Sequence, residues 1–313
     1  MRPEGRFKEK CGIAGYPVQE MSGLIFAYLG PAPVPYLPRW EPLEWENAVR
    51  DIAITVLPCN WLQCQENSLD PVYVEWLHAY YGMWLQSQRQ ELLSRALAEQ
   101  HHMDIGFDVF EHGIIKRRVL KGYTQEDDDW KYGHPILFLN ILLVGNQMNS
   151  TLQFRVPMDD THTYHISYYA WQSAPGSEMP RRQERVPYRY VPLKDDQGGY
   201  VTNVLFNQDY MAWMTQGEIA DRTLEKLGES DKGIILFRKM LQEQMAIAED
   251  GGDPMNVFRS EEAARNVRIG IEQVKFGDKK LFARYFPGEA GYSTDAELVD
   301  EVLATWDKVL TEV

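Results

Sequence analysis

Residues 151–171, TLQFRVPMDDTHTYHISYYAW, constrain the fold more than any other stretch. Two runs rich in β-branched and aromatic residues flank Asp159-Asp160. Such residues fit a pleated surface, and an Asp pair after Pro157 suits a turn. The stretch therefore reads as an antiparallel pair, 151–157 against 162–171. Two strands are marginal alone in water, so a wider sheet must receive them. DIAITVL (51–57) supplies another strand, and 104–122 reads as more. Residues 134–146 are apolar and follow a Gly-His-Pro turn. The pattern turns helical from Asn60 to His78. Residues 83–100 read as helix and polar connection. Helix dominates 209–249, with a break expected at Gly228, and 294–312 reads as an amphipathic helix. Strands, a helix, strands, then helices predict an α+β fold, an antiparallel sheet flanked by helices on one side.

The N-terminal part differs. Ile13–Val18 and Leu24–Leu29 around Ser22-Gly23 predict a β-hairpin. Four prolines within residues 31–38 exclude helix and central strand, so a linker follows. An isolated hairpin must pair with something outside this chain or lean on the main domain. The polar, Pro-, Arg- and Gly-rich stretch 173–200 reads as a long loop.

A formal net charge of −14 argues against nucleic acid and anionic membranes as partners. The longest apolar run, Ile136 to Val144, is too short to span a bilayer and contains Asn140. MRPEGRFKEK is not followed by an apolar signal core. The cysteines Cys11, Cys59 and Cys64 suit a reducing compartment. A cytoplasmic location is the expectation.

The densest chemistry lies in CNWLQCQENSLDPVYVEWLHAYYG, residues 59–82. On a continuous helix, Asn67, Asp70 and His78 share one face, with Tyr73 more loosely aligned. Trp61, Leu62, Leu69, Trp76 and Leu77 surround them. An inward polar site and a solvated polar stripe both satisfy this spacing. Elsewhere His101, His102 and His112 read as surface residues and His134 as a turn residue. His162 and His165 flank the Asp pair, and His165 is a candidate for a substrate pocket. Asp221, Arg222 and Glu225 read as a salt-bridge group near Asp209.

The 59–82 stretch resembles the iron helix of ring-hydroxylating Rieske oxygenases. There an Asn is followed by an Asp three residues on, a His three after that, and a second His five further along. Asn67, Asp70 and His78 match; Tyr73 stands where the first His is expected. Further blocks match in order: YPVQEMSGLIFAYLGP (16–31), GHPILFLNILLVGN (133–146), LQFRVPMDDTHTYHISYYAW (152–171) and QDYMAWMTQGEIADRTLEKLGESDKGIILFRKMLQEQM (208–245). The resemblance covers nearly the whole chain. It points to the branch of phenoxybenzoate dioxygenase and vanillate-demethylase-like oxygenase subunits.

That resemblance implies a helix-grip, START-like catalytic domain over residues 39–313. Residues 1–38 would be the last hairpin of a Rieske domain and its Pro-rich linker. It implies mononuclear Fe(II) in a 2-His-1-carboxylate site, with His78 and Asp209 as ligands. Asp70, beside Asn67, would link the iron to the Rieske cluster of a neighbouring subunit. Tyr73 would bind as a phenolate, which suits Fe(III) better than Fe(II). Either Tyr73 ligates, or Glu75 or a shifted His substitutes, or iron is held weakly or lost.

A [2Fe-2S] Rieske cluster needs two Cys and two His in CxH and CxxH segments. None of the three cysteines starts such a segment, so no cluster ligand is expected here. Electrons would come from a Rieske ferredoxin and reductase or from a full-length oxygenase subunit, in a trimer-based homo- or hetero-oligomer. The implied function is hydroxylation or O-demethylation of a small aromatic substrate. The alternative is a non-catalytic partner subunit or a truncated gene product. An acidic substrate would call for a pocket cation, with Arg155 and Arg182 as candidates.

Overall fold

A computed structural model describes residues 7–13, 15–89, 101–265, 267–270 and 295–307. The hairpin strands are β1 (Val18–Met21) and β2 (Leu24–Ala27). The main sheet takes β3 (Ala48–Leu57), β4 (His102–Phe110), β5 (Gly113–Leu120), β6 (His134–Leu137), β7 (Ile141–Gly145), β8 (Asn149–Pro157), β9 (Thr163–Gln172) and β10 (Tyr188–Tyr190). Its order is β10-β3-β9-β8-β7-β6-β5-β4. Neighbours are antiparallel except β10, which runs parallel to β3 inside the stretch expected to be loop. The α+β expectation holds. Among the described residues no helix is long and apolar enough to cross a membrane.

The β8–β9 pair forms as the sequence predicts. Arg155 lies opposite His165, Gln153 opposite Ser167, and Thr151 opposite Tyr169. Asp159 Oδ1 accepts from Thr161 N at 2.8 Å, and Met158 N donates to His162 O at 2.9 Å, which closes the turn. Side chains alternate between faces. On the inner face Val49, Ala53, Leu57, Tyr169 and Trp171 pack against helices α3 (Leu205–Met214) and α5 (Ala296–Ala304), through Phe206, Tyr210, Trp213 and Val302. Further along, Ile114, Ile136 and Leu142 pack against Leu69 and against Phe237 and Met240 of α4 (Lys232–Glu249).

The outer face is also covered. Ile52, Ile54, Leu152, Phe154 and Tyr168 pack with Trp40, Leu43 and the hairpin's Met21, Leu24 and Phe26. Tyr168 Oη donates to Ser22 O at 3.1 Å. The hairpin therefore leans on the main domain. Its first strand starts at Val18, later than expected. The cause is the two-residue turn: Ser22 (φ 54°) and Gly23 (φ 86°) pair Met21 with Leu24 and pull the ladder onto 18–21.

The helix expected over 60–78 is interrupted. Helix α1 (Trp61–Asn67) starts at Asn60, whose side chain accepts from Leu62 N at 2.9 Å. Pro71 cannot continue it. Asp70 Oδ1 accepts from Val72 N at 2.9 Å, and the chain re-enters a π-helical segment, Val74–Tyr80, before α2 (Tyr81–Arg89). Asn67, Asp70 and His78 thus lie on three different segments, and the single-face alignment is corrected. The rest of the 83–100 expectation, and the helix end beyond 307, lie outside the described residues. The break near Gly228 is wider than expected, with α3 ending at Met214 and α4 starting at Lys232.

Between them Arg222 and Arg238 both bind the buried Glu66, Arg238 Nε at 2.6 Å. Arg238 Nη2 also meets Glu225 Oε1 at 2.7 Å. The expected salt-bridge group exists, with Glu66 as its hub, while Asp221 caps Thr223 N at 2.9 Å.

Two outcomes test this packing. Phe237, fully buried, should cost about 3–5 kcal/mol when cut to Ala, read by urea unfolding. Hydrogen bonds from Arg238, against burial and with help from Arg222, hold the Glu225 carboxyl at about 2. A depressed acid stabilises fully above its ordinary value of 4.5 and loses that contribution as pH falls to about 2. The melting-temperature gap between wild type and Glu225→Gln should therefore narrow over that window.

Candidate metal centre

His78, from the π-helical segment, and Asp209, from α3, meet in the interior. His78 Nε2 lies 3.2 Å from Asp209 Oδ1, and both residues are buried. The distance is short, yet neither atom has a hydrogen-bonding partner of suitable geometry. His78 Nδ1 is 2.9 Å from Gln208 Oε1, and Gln208 Nε2 donates to Thr202 O at 3.0 Å. The Gln208 amide is thus oriented to accept, so Nδ1 carries the proton and the Nε2 lone pair faces the carboxylate. Two lone pairs aimed at each other repel unless a proton or a cation lies between them. Burial lowers the affinity of His78 for a proton, but the nearby Asp209 carboxylate and the Gln208 contact outweigh it. A metal cation would satisfy the same pair of atoms, so these two residues fit one.

Tyr73 precedes the π-helical segment, and its ring meets His78 edge-on, centroids 5.2 Å apart. Burial, then the Asp209 charge, push its hydroxyl well above the ordinary phenol value, against the charges of Arg155 and Arg118. Lys116 Nζ lies 5.7 Å from the Tyr73 ring centre. Among the described residues no three His, Cys, Asp or Glu side chains are placed to hold a metal. Glu75, the proposed substitute, is engaged elsewhere. Its Oε1 is 2.7 Å from His101 Nδ1, and its Oε2 accepts from His102 N at 3.2 Å.

Asp70 is half-buried. Burial pushes its carboxyl up, against the Val72 N–H and the Lys116 charge. The Lys116 charge also acts on His78. Asn67 O accepts from Asp70 N at 3.1 Å, which tightens the turn between the two.

His165 is fully buried on the inner face, with Nδ1 3.2 Å from Tyr210 Oη and its Nε2 without a partner. Arg155 stands opposite it, 1% exposed. The Arg155 guanidinium reaches Gln153 Oε1 at 2.9 Å and lies 5.6 Å from the Trp213 ring, and its Nε has no partner. Burial lowers its pKa to about 10. Arg182 is exposed and belongs to the surface.

Two histidines read as surface residues, His102 and His112, have buried side chains. His102 opens β4 with its side chain buried, and His112 packs between Trp40, Phe110 and Phe258 with Nδ1 3.0 Å from Asn256 Oδ1. His134 is buried at the start of β6. Gln208 and Lys116 were not anticipated. The only sign of Gln208 was its place directly before Asp209.

A family model described as "LigXa C-terminal domain like" matches residues 194–270, which include α3. The 5,5'-dehydrodivanillate O-demethylase oxygenase subunit of Sphingobium sp. (strain NBRC 103272 / SYK-6) is 38% identical over 257 residues, 82% of this chain and 58% of that protein. The phthalate 4,5-dioxygenase oxygenase subunit of Pseudomonas putida is 26% identical, covering 78% of this chain and 62% of its own. The phenoxybenzoate dioxygenase subunit alpha of Ectopseudomonas oleovorans is 27% identical, covering 86% and 66%. The chain thus spans roughly three-fifths of the length of these relatives.

Burial lowers the His102 pKa to about 4, from an ordinary 6.5. The unfolded chain then takes up a proton between those values that the folded chain refuses, so stability falls as pH drops from about 6.5 to about 4. His102→Gln should flatten that part of the melting-temperature profile.

Proposed function

We propose that the chain is an oxygenase component acting on an aromatic substrate by hydroxylation or O-demethylation, a reading supported by its similarity to the dioxygenase and O-demethylase subunits above. His78 and Asp209 would hold a mononuclear iron. The observation that carries this is the buried pair His78 Nε2 and Asp209 Oδ1, 3.2 Å apart and both otherwise unpartnered. Iron bound there supplies activation of O₂. Gln208 holds the His78 ring so that Nε2 stays available. Asp70 and Asn67 form a polar turn that would face a Rieske cluster supplied by a neighbouring subunit or ferredoxin, in a trimer-based assembly in the cytoplasm. Residues 39–313 form the catalytic domain, with 1–38 as the end of a Rieske domain and its linker.

The substrate class follows from Arg155. A buried guanidinium without a carboxylate ion-pair partner among the described residues costs several kcal/mol. A carboxylate on the aromatic substrate would offset that cost, beside the His165 and Trp213 rings. The names phthalate and phenoxybenzoate among the relatives' substrates agree with an acid. Arg155→Gln should raise KM for an aromatic acid by at least tenfold and leave an uncharged analogue nearly unaffected.

Anaerobic titration should load one Fe(II) per chain, with His78→Ala and Asp209→Ala each weakening binding at least tenfold. Binding that ignores both substitutions would overturn the site. Tyr73, in the place of an expected ligand, favours a second reading, a non-catalytic partner subunit. Tyr73→His should raise iron affinity markedly if the phenol has displaced an imidazole.

A further inference from the structure

Cys59 and Cys64 take no part in the site above, yet they are placed against each other. Cys59 lies directly before Asn60, the N-cap of α1, and Cys64 lies in the first turns of that helix. The extended backbone at Asn60 (φ −66°, ψ 139°) folds Cys59 back over the helix start. Both side chains are free thiols, both are fully buried, and their sulfurs lie 3.6 Å apart. The surrounding backbone is held: Thr163 Oγ1 donates to Cys59 O at 2.7 Å, and Cys64 Sγ contacts Asn60 O at 3.4 Å. The sulfurs need to close from 3.6 Å to the length of a disulfide bond, about 2.05 Å. The hydrogen bond between the two sulfurs, in which either can donate, holds the Cys59 thiol below its ordinary value against burial, while burial pushes Cys64 up. Cys59, the thiol with the lowered value, is assigned as the attacking sulfur, with Cys64 3.6 Å away to resolve it.

We propose that Cys59 and Cys64 form a dithiol site that a hydroperoxide converts to an intramolecular disulfide. The Cys59 sulfur attacks one peroxide oxygen, the O–O bond breaks, and with hydrogen peroxide a water leaves, giving the sulfenic acid. The Cys64 sulfur then attacks the Cys59 sulfur, its proton joins the departing hydroxyl, and a second water leaves. Two thiols and one peroxide become one disulfide and two waters, and the sulfurs supply both electrons. An external dithiol reverses the change by exchange. The bond would tie the end of β3 to α1, the helix that leads towards Asp70 and His78.

The full chain, treated with hydrogen peroxide, denatured, alkylated and mapped by mass, tests this. The Cys59 and Cys64 thiols should both be lost, whatever happens at the exposed Cys11. The peptide carrying both Cys59 and Cys64 should be lighter by two hydrogens, and dithiothreitol should restore it. Cys64→Ser should abolish that loss and leave Cys59 as sulfenic or sulfinic acid. The wild-type map stands even where the variant folds poorly. Recovery of both thiols in alkylated form after Cys11 has reacted would overturn the proposal. So would cross-links that run through Cys11 in place of this pair, or sulfinic acid at Cys59 in the wild type beside an intact Cys64.

Discussion

The register of β8 against β9 decides what the interior of this protein contains. A strand alternates faces with every residue, so a slip of one position would turn Arg155, His165, Gln153 and Ser167 outward and bring Leu152, Phe154 and Tyr168 in their place. The register is held from both sides. The Asp159 turn sets one end, and β3 pairs with β9 along its whole length, placing Thr55 opposite His165. Apolar clusters then bracket the polar strip, one around Trp171 and Trp213 and one around Ile114 and Phe237. These clusters supply the burial that lets a polar strip persist between them.

Charge is buried here in two different ways. Glu66 is matched by Arg222 and Arg238, and Arg118 by Asp129 at 3.0 Å. These are compensated pairs that fasten helices to the sheet and to each other. Arg155 and the His78–Asp209 pair are under-compensated, with aligned atoms left over. Sequences keep such groups where a ligand completes them. The chain between Glu66 and Glu75 is anchored at both ends, by arginines and by His101 and His102, and breaks in the middle at Pro71. That break lets His78 approach α3 from a separate segment.

Much of the architecture was legible because it rests on local pattern. The 151–171 alternation, the Asp turn and the Ser22-Gly23 turn need only neighbouring residues. The reading of residues 67–78 as one face failed because Pro71 was passed over in favour of periodicity. Arg155 could not be placed because both faces of the sheet are covered. In a one-sided sheet Leu152 and Phe154 would claim the interior and Arg155 the solvent; here they pack beneath the hairpin instead. His102 and His112 were read from polarity alone, which does not reveal that Glu75 and Asn256 wait for them across the fold. Resemblance carried His78 and Asp209, since residues 130 positions apart in Gln208 and His78 meet only in three dimensions.

Tyr73 changes how charge must balance at the centre. A phenol held protonated by burial and by Asp209 adds no negative charge and presents an aromatic edge to His78. The carboxylate of Asp209 is an anion whose charge reaches Arg155 across the same interior. A divalent cation taken up between His78 and Asp209 would leave an excess of positive charge, and the guanidinium of Arg155 would lose its counter-charge to the metal. An anionic substrate removes that excess. Occupancy of the metal position and of the Arg155 position should therefore favour each other through the shared Asp209 charge, because each ligand relieves the field that the other creates.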